Sequence, residues 1–422
     1  MMHFDTGSTG FMLLATSLVM LMTPGLAFFY GGLAGKRNIL GIMIQSFVSM
    51  GITTVMWYLC GYSLCFSGDT LGGVIGNFDK AFMHGVNLNS AFSGNKNIPE
   101  FVFMAYQMMF AIITPALISG AFTNRVTFKA YMLFLTGWLT FVYFPFVHMV
   151  WGGGFLQQWG VKDFAGGIVV HNIAGVAALA SVIYVGKRRV QDRGPHSIPL
   201  VALGTGLLWF GWYGFNAGSE MRVDSVTATA FLNTDVAASF AAVSWLLVAW
   251  LNEKKPKLLG LLTGAVAGLA TVTPAAGYVS PTTAVIIGIV SGVVCYYAVE
   301  MKNKLQWDDA LDVWGVHGVG GFLGIVMLGI FANKEFNPEG ANGLLYGDPV
   351  FLLKQVTAVV FSSVWAFAFT YAMLRIIDAF TPVKVSEASE EIGLDESLHG
   401  EHAYEQLTDE DVVHKLVESV RH

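Results

Sequence analysis

The chain carries little charge for its length. Only 12% of its 422 residues are Asp, Glu, Lys or Arg, and 54% are hydrophobic, whereas soluble domains have about 25% charged residues. Nothing in this composition indicates nucleic-acid binding. The composition instead predicts an integral membrane protein whose surroundings are the lipid bilayer.

Cysteines and catalytic groupings are also scarce. The three cysteines, Cys60, Cys65 and Cys295, all lie in apolar runs, so we interpret them as small hydrophobic residues rather than disulfide partners or metal ligands. No nucleophile lies at a credible spacing from a base, and no metal-ligand set is apparent. The sequence therefore predicts no enzyme, no cofactor and no metal.

Long apolar runs are abundant. A membrane-spanning helix needs about 20 mostly apolar residues, and eleven runs qualify, at about 10–33, 39–66, 99–122, 128–151, 164–186, 197–217, 226–251, 258–278, 281–301, 311–332 and 350–377. The first run has no basic region before it and is followed by Lys36 and Arg37, which is typical of a true span rather than a cleaved signal. We predict an all-α, multi-pass protein of the plasma or inner membrane with eleven transmembrane helices.

Basic residues are concentrated in every second loop. Lys and Arg cluster around residues 36–37, 125–129, 187–193, 254–257 and 302–304, and the other loops have only Lys80, Lys96, Lys162, Arg222 and Lys334. By the positive-inside rule this places the N-terminus outside and the C-terminus in the cytoplasm.

Two apolar segments each contain a histidine. In DFAGGIVVHNIAG, His171 follows Asp163, and in DVWGVHGVGG, His317 follows Asp312; both have the pattern His-x-x-x-Gly. The two segments fall in the fifth and tenth spans. If spans one to five and six to ten are repeats, the second repeat crosses the membrane in the opposite orientation to the first, because five is an odd number. Proteins built from such inverted repeats have their site near the membrane midplane, between the two halves. His171 lies about 12 Å from Asp163 along a helix at 1.5 Å per residue, so the two rings can meet there.

We therefore predict an inverted 5+5 repeat plus one extra helix. The transmembrane domain covers 1–380, with repeats at about 8–190 and 195–333 and the extra helix at about 350–378, and a cytoplasmic tail follows at 381–422.

Ionisable groups inside a membrane are rare and usually face a pathway. Of the ten histidines, only His148, His171 and His317 lie in or at the edge of a span. A lone imidazole is more often a packing residue, but a repeated pair favours function, since two rings can share a proton and offer a donor and an acceptor to a small molecule. A metal site is the alternative, although two imidazoles without a third ligand are too few for a closed site.

The two aspartates have N-cap-like positions. A carboxylate there accepts backbone N–H bonds and complements the helix dipole, so we predict that Asp163 and Asp312 are structural helix caps. A role for Asp163 as a cation ligand is the alternative.

Aromatic residues crowd AYQMMF, HMVWGGG and WFGWYGFNAGS. Most aromatic side chains in such a protein are lipid-facing or interfacial. Trp151 and Ser219 lie at the outer ends of their spans, where a ring face and a hydroxyl could hold a small cation with about 0.5 to 2 kcal/mol. A bare charge at the bilayer centre costs about 2.5 to 3.5 kcal/mol or more, so such a pore would recruit an ion and move something less charged.

At these residues the chain resembles the Amt/Mep branch of the ammonium transporter family over essentially its whole length. The resemblance rests on MLMTPGLAFFYGGL, DFAGGIVVHNIAGVAALASVIYVGKRR, WFGWYGFNAGS, DVWGVHGVGG and GLDESLHGEHAY, which occur in the family's order. Rh proteins, the sister branch, commonly lack the Trp and Ser of the outer site, so Trp151 and Ser219 favour Amt.

The resemblance implies roles for particular residues. His171 and His317 would be the twin pore histidines, Phe110 and Phe215 a stacked phenyl gate, and Trp151, Phe110 and Ser219 the outer recruitment site, supported by Asp163. It implies a homotrimer with one pore per subunit, in which ammonium loses its proton outside, ammonia crosses the pore, and the proton travels separately.

The resemblance also implies that the tail responds to PII signal proteins. After Tyr404 the tail has an amphipathic pattern, with Val412, Val413, Leu416, Val417 and Val420 at helical spacing, for which the family offers no counterpart. His399 and His402 are three apart, but without further ligands they do not indicate a metal site.

Three functions remain open from the sequence. The first is electrogenic ammonium transport, the second an ammonium sensor of the same fold with little flux, and the third a neutral channel for ammonia or carbon dioxide.

Overall fold

The computed structural model describes residues 3–92, 95–191 and 194–404, and helices make up most of it. We number the apolar helices in chain order: α1 Thr6–Leu33, α2 Ile39–Phe66, α3 Glu100–Ile118, α4 Phe128–Trp159, α5 Gly167–Val185, α6 Ile198–Glu220, α7 Ser225–Glu253, α8 Leu258–Val272, α9 Pro281–Lys304, α10 Trp314–Phe331 and α11 Pro349–Phe380. Two short helices follow, α12 Glu387–Ile392 and α13 Leu394–His399. Within the described ranges, ten of these are long and apolar enough to cross a membrane.

The eighth predicted span, 258–278, is shorter than expected. Helix α8 ends at Val272 and is followed by turns, because Pro274 and the residues after it leave the helical path. Neighbouring chain segments satisfy the unwound backbone: Phe164 N donates to the Pro274 carbonyl at 3.1 Å, and the Asn233 amide donates to Ala276 and Val279. Such breaks are tolerated in a membrane where protein buries them.

Within the part of the chain that the structure describes, the strands lie in one loop region. Two small antiparallel pairs, β1 Asp69–Thr70 with β2 Ile75–Gly76 and β3 Ala91–Phe92 with β4 Asn95–Pro99, lie between α2 and α3. Backbone hydrogen bonds join this region to the start of α1 and to the last part of α4: Asp5 N donates to the Asn97 carbonyl, and Phe155 N to the Gly73 carbonyl. We call this end of the bundle the far end.

Helices α1 and α6 pack along each other, with glycines at the contact. A Cβ on Gly204 would lie 2.2 Å from Phe29 N, and one on Gly32 would lie 2.7 Å from Val201 N. The two backbones can approach this closely only because both positions lack a side chain. The first helix of each predicted repeat is thereby held against the other.

The segment 381–404 folds back onto the bundle. Val385 N donates to the Arg125 carbonyl at 2.8 Å, the Asp395 carboxylate accepts from Gly41 N at 2.7 Å, and Glu390 accepts from Val190 N at 3.1 Å. We call this end of the bundle the tail end. The predicted amphipathic stretch after Tyr404 lies outside the described residues.

Candidate functional site

A cavity of about 240 Å³ opens at the far end of the bundle. Trp151, Asp163 and Ser219, which were named in the sequence analysis, are part of its lining. The other lining side chains are either polar or charged, namely Gln107, Gln157, Lys162, Glu220, Arg222, Asn337 and Glu339, or aromatic and apolar, namely Phe66, Phe103, Phe164, Met221 and Tyr278.

Trp151 and Ser219 are fixed by hydrogen bonds to the backbone. The Trp151 indole N–H donates to the Asp163 carbonyl at 2.8 Å, and the Ser219 hydroxyl donates to the Phe215 carbonyl at 2.9 Å. The Phe110 ring stands edge-on to Trp151, with centroids 6.0 Å apart. Since the Ser219 proton is used, its oxygen lone pairs are what it offers to a ligand.

The Asp163 carboxylate lies at the start of α5. It accepts four backbone N–H bonds of 2.7 to 3.2 Å, from Gly166, Gly167, Ile168 and Val169. Burial raises the pKa of this carboxyl, and the four N–H groups oppose that shift. Both oxygens are thereby committed, which favours a structural role over a role as cation ligand.

Beneath the far-end cavity lie two stacked phenyl rings. The rings of Phe110 and Phe215 are 4.1 Å apart at 27°, and both side chains are buried. Tyr106 anchors the Phe215 backbone, because its hydroxyl donates toward the carbonyls of Gly214 and Phe215 at 2.9 and 2.8 Å. The rings separate the cavity from the interior.

His171 and His317 meet below the phenyl pair. Their Nδ1 atoms are 3.3 Å apart, and the ring centroids are 5.3 Å apart with an angle of 18° between the planes, so the two rings lie nearly edge to edge. One Nδ1 must donate while the other accepts, so a single proton lies between them. The Trp212 ring lies nearly parallel to that of His171, with centroids 5.3 Å apart, and its indole N–H donates to the Thr273 hydroxyl at 2.8 Å.

The repeated His-x-x-x-Gly pattern has a packing explanation. Each histidine lies in a π-helical turn, Gly167–Asn172 or Trp314–Gly318; such turns are frequent at functional sites. A Cβ on Gly175 would lie 2.0 Å from Gly318 N, and one on Gly321 would lie 2.6 Å from Asn172 N. Each glycine thus contacts the residue that follows the other helix's histidine, and this reciprocal contact brings the rings together.

The lumen at the histidines is narrow and apolar. Its volume is about 10 Å³, close to the minimum of about 10–15 Å³ that one water molecule needs. Apart from the histidines, the lining is apolar or aromatic: Met22, Leu26, Phe29, Ile113, Leu117, Val170, Leu208, Trp212, Phe215 and Val266. One small neutral molecule fits, and an ion would be stripped of its water there.

The prediction that Asp312 caps the tenth span is wrong. Trp314, the first residue of α10, donates its N–H to Asp309 at 2.7 Å, whereas the Asp312 carboxylate pairs with Lys302 at 2.6 Å. Asp312 has a φ of 59°, so the chain turns there. This turn places Asp309, rather than Asp312, at the N-terminus of α10. Burial raises the pKa of Asp309 to about 6, against the opposing effect of Lys302.

His317 also lines a second cavity of about 190 Å³ at the tail end, with Tyr30, Arg188 and Asp312. The lumen therefore lies between a far-end and a tail-end cavity.

His148 lies outside this path. Its ring is buried, with Nδ1 2.9 Å from the Cys65 carbonyl and Nε2 2.5 Å from the Asp69 carboxylate. Both ring nitrogens thus join α4 to the end of α2 and to the loop after it, which favours a packing role for His148.

Sequence reasoning missed the ion pairs at the mouth of the far-end cavity. Arg222 pairs with Glu220, Asp224 and Glu339 at 2.6, 2.7 and 3.0 Å. Burial lowers the pKa of Arg222, but the carboxylates more than reverse this and the net shift is upward. Three carboxylates surround one guanidinium, but Lys162 lines the same cavity and burial raises the pKa of Glu220 to about 7. Carboxylates therefore outnumber basic groups at the mouth only when Glu220 is ionised, and the excess negative charge then attracts cations.

A sequence profile for the Ammonium Transporter Family matches residues 10–404. The chain belongs to this family. The resemblance stated from the motifs is thereby confirmed, and with its apolar helices the chain is a multi-pass membrane protein.

Individual relatives match along nearly the whole chain. An ammonium transporter of Bacillus subtilis is 44% identical over 94% of this chain and 98% of its own. Ammonium transporter Amt1 of Archaeoglobus fulgidus is 42% identical over 94% and 99%.

Solved structures of the family have the same fold. The crystal structure of Candida albicans Mep2 superposes with a TM-score of 0.85 at 35% identity, covering 92% of this chain and 88% of that one. A structure described as a sensor Amt protein also has a TM-score of 0.85, at 29% identity, with 92% and 97% covered.

Proposed function

We propose that this chain transports ammonium by recruiting the ion in the far-end cavity, removing its proton and conducting ammonia through the lumen, while the proton crosses separately by way of His171 and His317. The observation that carries the proposal is the apolar lumen of about 10 Å³ with a hydrogen-bonded histidine pair inside it. Its relatives bear the name ammonium transporter.

Recruitment follows from the walls of the far-end cavity. The Trp151 and Phe110 rings attract a cation by cation–π interaction, and the Ser219 oxygen accepts one of its N–H bonds. The carboxylates paired with Arg222 add to the attraction when Glu220 is ionised. Asp163 supports the site by holding the start of α5 and the carbonyl to which Trp151 is bonded.

Deprotonation follows from the cost of desolvation. Ammonium at the phenyl gate, Phe110 and Phe215, would have to give up its water for aromatic carbon, and a charge at mid-membrane costs about 2.5 to 3.5 kcal/mol or more. Ammonia avoids most of this cost. The proton can pass along the two imidazoles because their Nδ1 atoms are already hydrogen-bonded, so the net result is transfer of one positive charge.

We also propose how the chain is oriented in the membrane and how it assembles. The far end lies outside and the tail end in the cytoplasm; residues 1–380 form the transmembrane domain as an inverted repeat plus α11, and 381–422 form a regulatory tail. Three subunits assemble, each with its own pore, and PII-type signal proteins bind at the tail end. The opposite directions of α5 and α10, and the reciprocal contacts of Gly175 and Gly321, support the inverted repeat.

Purified protein in liposomes tests the function. On an ammonium jump we expect a saturable inward positive current. Internal alkalinisation without current would instead identify a neutral gas channel. Binding of ammonium with neither signal would identify a sensor, the alternative that a structural neighbour favours.

We predict that Trp151→Leu raises the half-saturating ammonium concentration about two- to thirtyfold, the equivalent of a lost cation–π contact of about 0.5 to 2 kcal/mol. The measurement is the concentration dependence of the current. Trp159→Leu is the matched control, since Trp159 is exposed and lies outside the cavity lining. An unchanged concentration dependence in Trp151→Leu would count against the outer site.

A further inference from the structure

The buried ring of His148 has an oxygen acceptor at each of its nitrogens. Its Nδ1 is 2.9 Å from the Cys65 carbonyl, and its Nε2 is 2.5 Å from the Asp69 carboxylate. A carbonyl and an ionised carboxylate only accept hydrogen bonds, whereas a neutral imidazole has a single N–H. Both contacts are therefore satisfied only when the pair of His148 and Asp69 holds one proton more than a neutral imidazole and a carboxylate do.

The surroundings of the pair favour an imidazolium that is bonded to an ionised carboxylate. The second Asp69 oxygen accepts an N–H from Gln158 at 3.1 Å, and hydrogen bonds to a carboxylate favour its ionised form. Helix α2 presents only the Cys65 carbonyl to the ring, because the Cys65 thiol is directed to the Phe144 carbonyl at 3.8 Å. The titratable partner of His148 is thus Asp69, and the ion pair between them holds the extra proton.

Asp69 connects this buried ring to water. The His148 side chain is fully buried, but 43% of the Asp69 side chain is exposed. We therefore expect the pair to release its extra proton as the pH at the far end rises. The Nε2 lone pair would then face a carboxylate oxygen, and since two acceptors repel each other, Asp69 would turn away into the water.

The same pair joins the hairpin of β1 and β2 to α4. Asp69 is the first residue of β1, and it binds both His148 and Gln158 of α4. A backbone bond from Phe155 N to the Gly73 carbonyl at 3.0 Å is a further link between the hairpin and this helix. Movement of the Asp69 carboxylate would therefore break two of these three links.

His148 also contacts the turn that carries Trp151. The His148 carbonyl accepts N–H bonds from Gly152 and Gly154 at 3.0 and 2.9 Å. A Cβ on Gly152 would lie 1.9 Å from the Cys65 carbonyl oxygen and 2.9 Å from His148 Nδ1, so the turn fits closely against the ring. A shift of the ring would therefore move Trp151, which lines the far-end cavity.

We propose that His148 and Asp69 form a proton-dependent latch, which holds the β1–β2 hairpin and the Trp151 turn in place only while the pair keeps its extra proton. His148 is then a positioning residue rather than a ligand. The effect of the latch on ammonium transport rests on the proposed function, whereas its effect on the hairpin does not.

Asp69→Asn tests the latch, because an amide can turn either its oxygen or its NH₂ group toward Nε2 and so satisfies a neutral ring as well as a charged one. The melting temperature of the solubilised protein is measured from about pH 6 to about pH 9. A proton that the folded protein binds and the unfolded chain releases makes stability fall as the pH rises. We therefore expect the native protein to lose melting temperature relative to Asp69→Asn toward alkaline pH.

Asp79→Asn is the matched control. Asp79 is an exposed carboxylate of the same loop that accepts from the Asn77 amide at 2.6 Å, so this variant should follow the pH dependence of the native protein. Parallel melting curves of the native protein and Asp69→Asn over the whole pH range would overturn the latch.

Hydrogen exchange in the native protein is a second measurement, which needs no variant. After correction for the intrinsic effect of pH on exchange, the backbone protection of the β1–β2 pair should fall as the pH rises, because local opening becomes easier. Protection of the β3–β4 pair at the same end should not change. Unchanged relative protection of the two pairs would overturn the latch even if Asp69→Asn does not fold.

The liposome current tests the consequence for transport. At alkaline outside pH, the half-saturating ammonium concentration of the native protein should rise relative to that of Asp69→Asn, by at most about tenfold per pH unit for a single proton. An equal pH dependence in the two proteins would overturn the positioning of Trp151. A native protein that carries no current, but whose stability depends on pH through Asp69, would overturn transport and leave the latch standing.

Discussion

Ammonium current is expected to fall by about two orders of magnitude or more in the double variant His171→Ala with His317→Ala, because a positioned proton-transfer group contributes about 10²- to 10⁴-fold. In the native chain the two Nδ1 atoms are 3.3 Å apart, and the remaining lumen lining is apolar or aromatic. Without the imidazoles no side chain of that lining can relay a proton, so charge transfer should stop. The liposome current measures this directly.

The double variant also widens the lumen, which requires a control of its own. Leu208→Ala with Val266→Ala enlarges the same lumen without touching the histidines, and we expect it to retain ammonium current. An undiminished, ammonium-selective current in the histidine double variant would contradict the role given to the pair. Alkalinisation that continues after the current has gone would show that ammonia still passes while the proton does not.

The histidine pair was predictable because an imidazole in an apolar span is conspicuous and the pattern around it occurs twice. Spacing along two helices of opposite direction was enough to bring the rings to the same depth. What the sequence could not supply is the 3.3 Å approach itself, since this depends on backbone contact at Gly175 and Gly321. From the sequence alone, these two glycines cannot be distinguished from other helix-packing glycines, because the residues that they contact are not known.

The errors concern features set by distant contacts. The end of α8 depends on Asn233 and Phe164, which bind the unwound backbone after Val272. The choice of Asp309 over Asp312 as the cap depends on a left-handed backbone at Asp312. Both errors concern the position of a helix end to within a few residues, and hydrophobic periodicity does not locate a helix end that accurately.

The polar side of the far-end cavity was missed for a related reason. Arg222 and Glu339 are 117 residues apart and meet only in the folded chain. Trp151 was found from its position at the outer end of its span, whereas Phe110 and Phe215 were found because the resemblance named them.

The second large effect is expected at Asp163. Replacing it by Ala leaves four backbone N–H groups at the start of α5 without an acceptor, and each buried, unsatisfied group costs about 1 to 3 kcal/mol. We expect Asp163→Ala to lower the melting temperature and to abolish transport, because the same turn carries the carbonyl that binds Trp151 and leads directly into the π-helical turn of His171.

Two further variants separate the outer site from simple helix capping. Asp348→Ala removes another far-end cap, which accepts one N–H from Phe351 at 2.9 Å, so we expect a cost of about 1 kcal/mol and normal transport. Asp163→Asn keeps one oxygen but turns an NH₂ group toward two of the four donors, so its transport should lie between those of the native protein and Asp163→Ala. Normal ammonium affinity and current in Asp163→Ala would mean that neither Trp151 nor His171 depends on this turn, and the cap would then be dispensable to the pore.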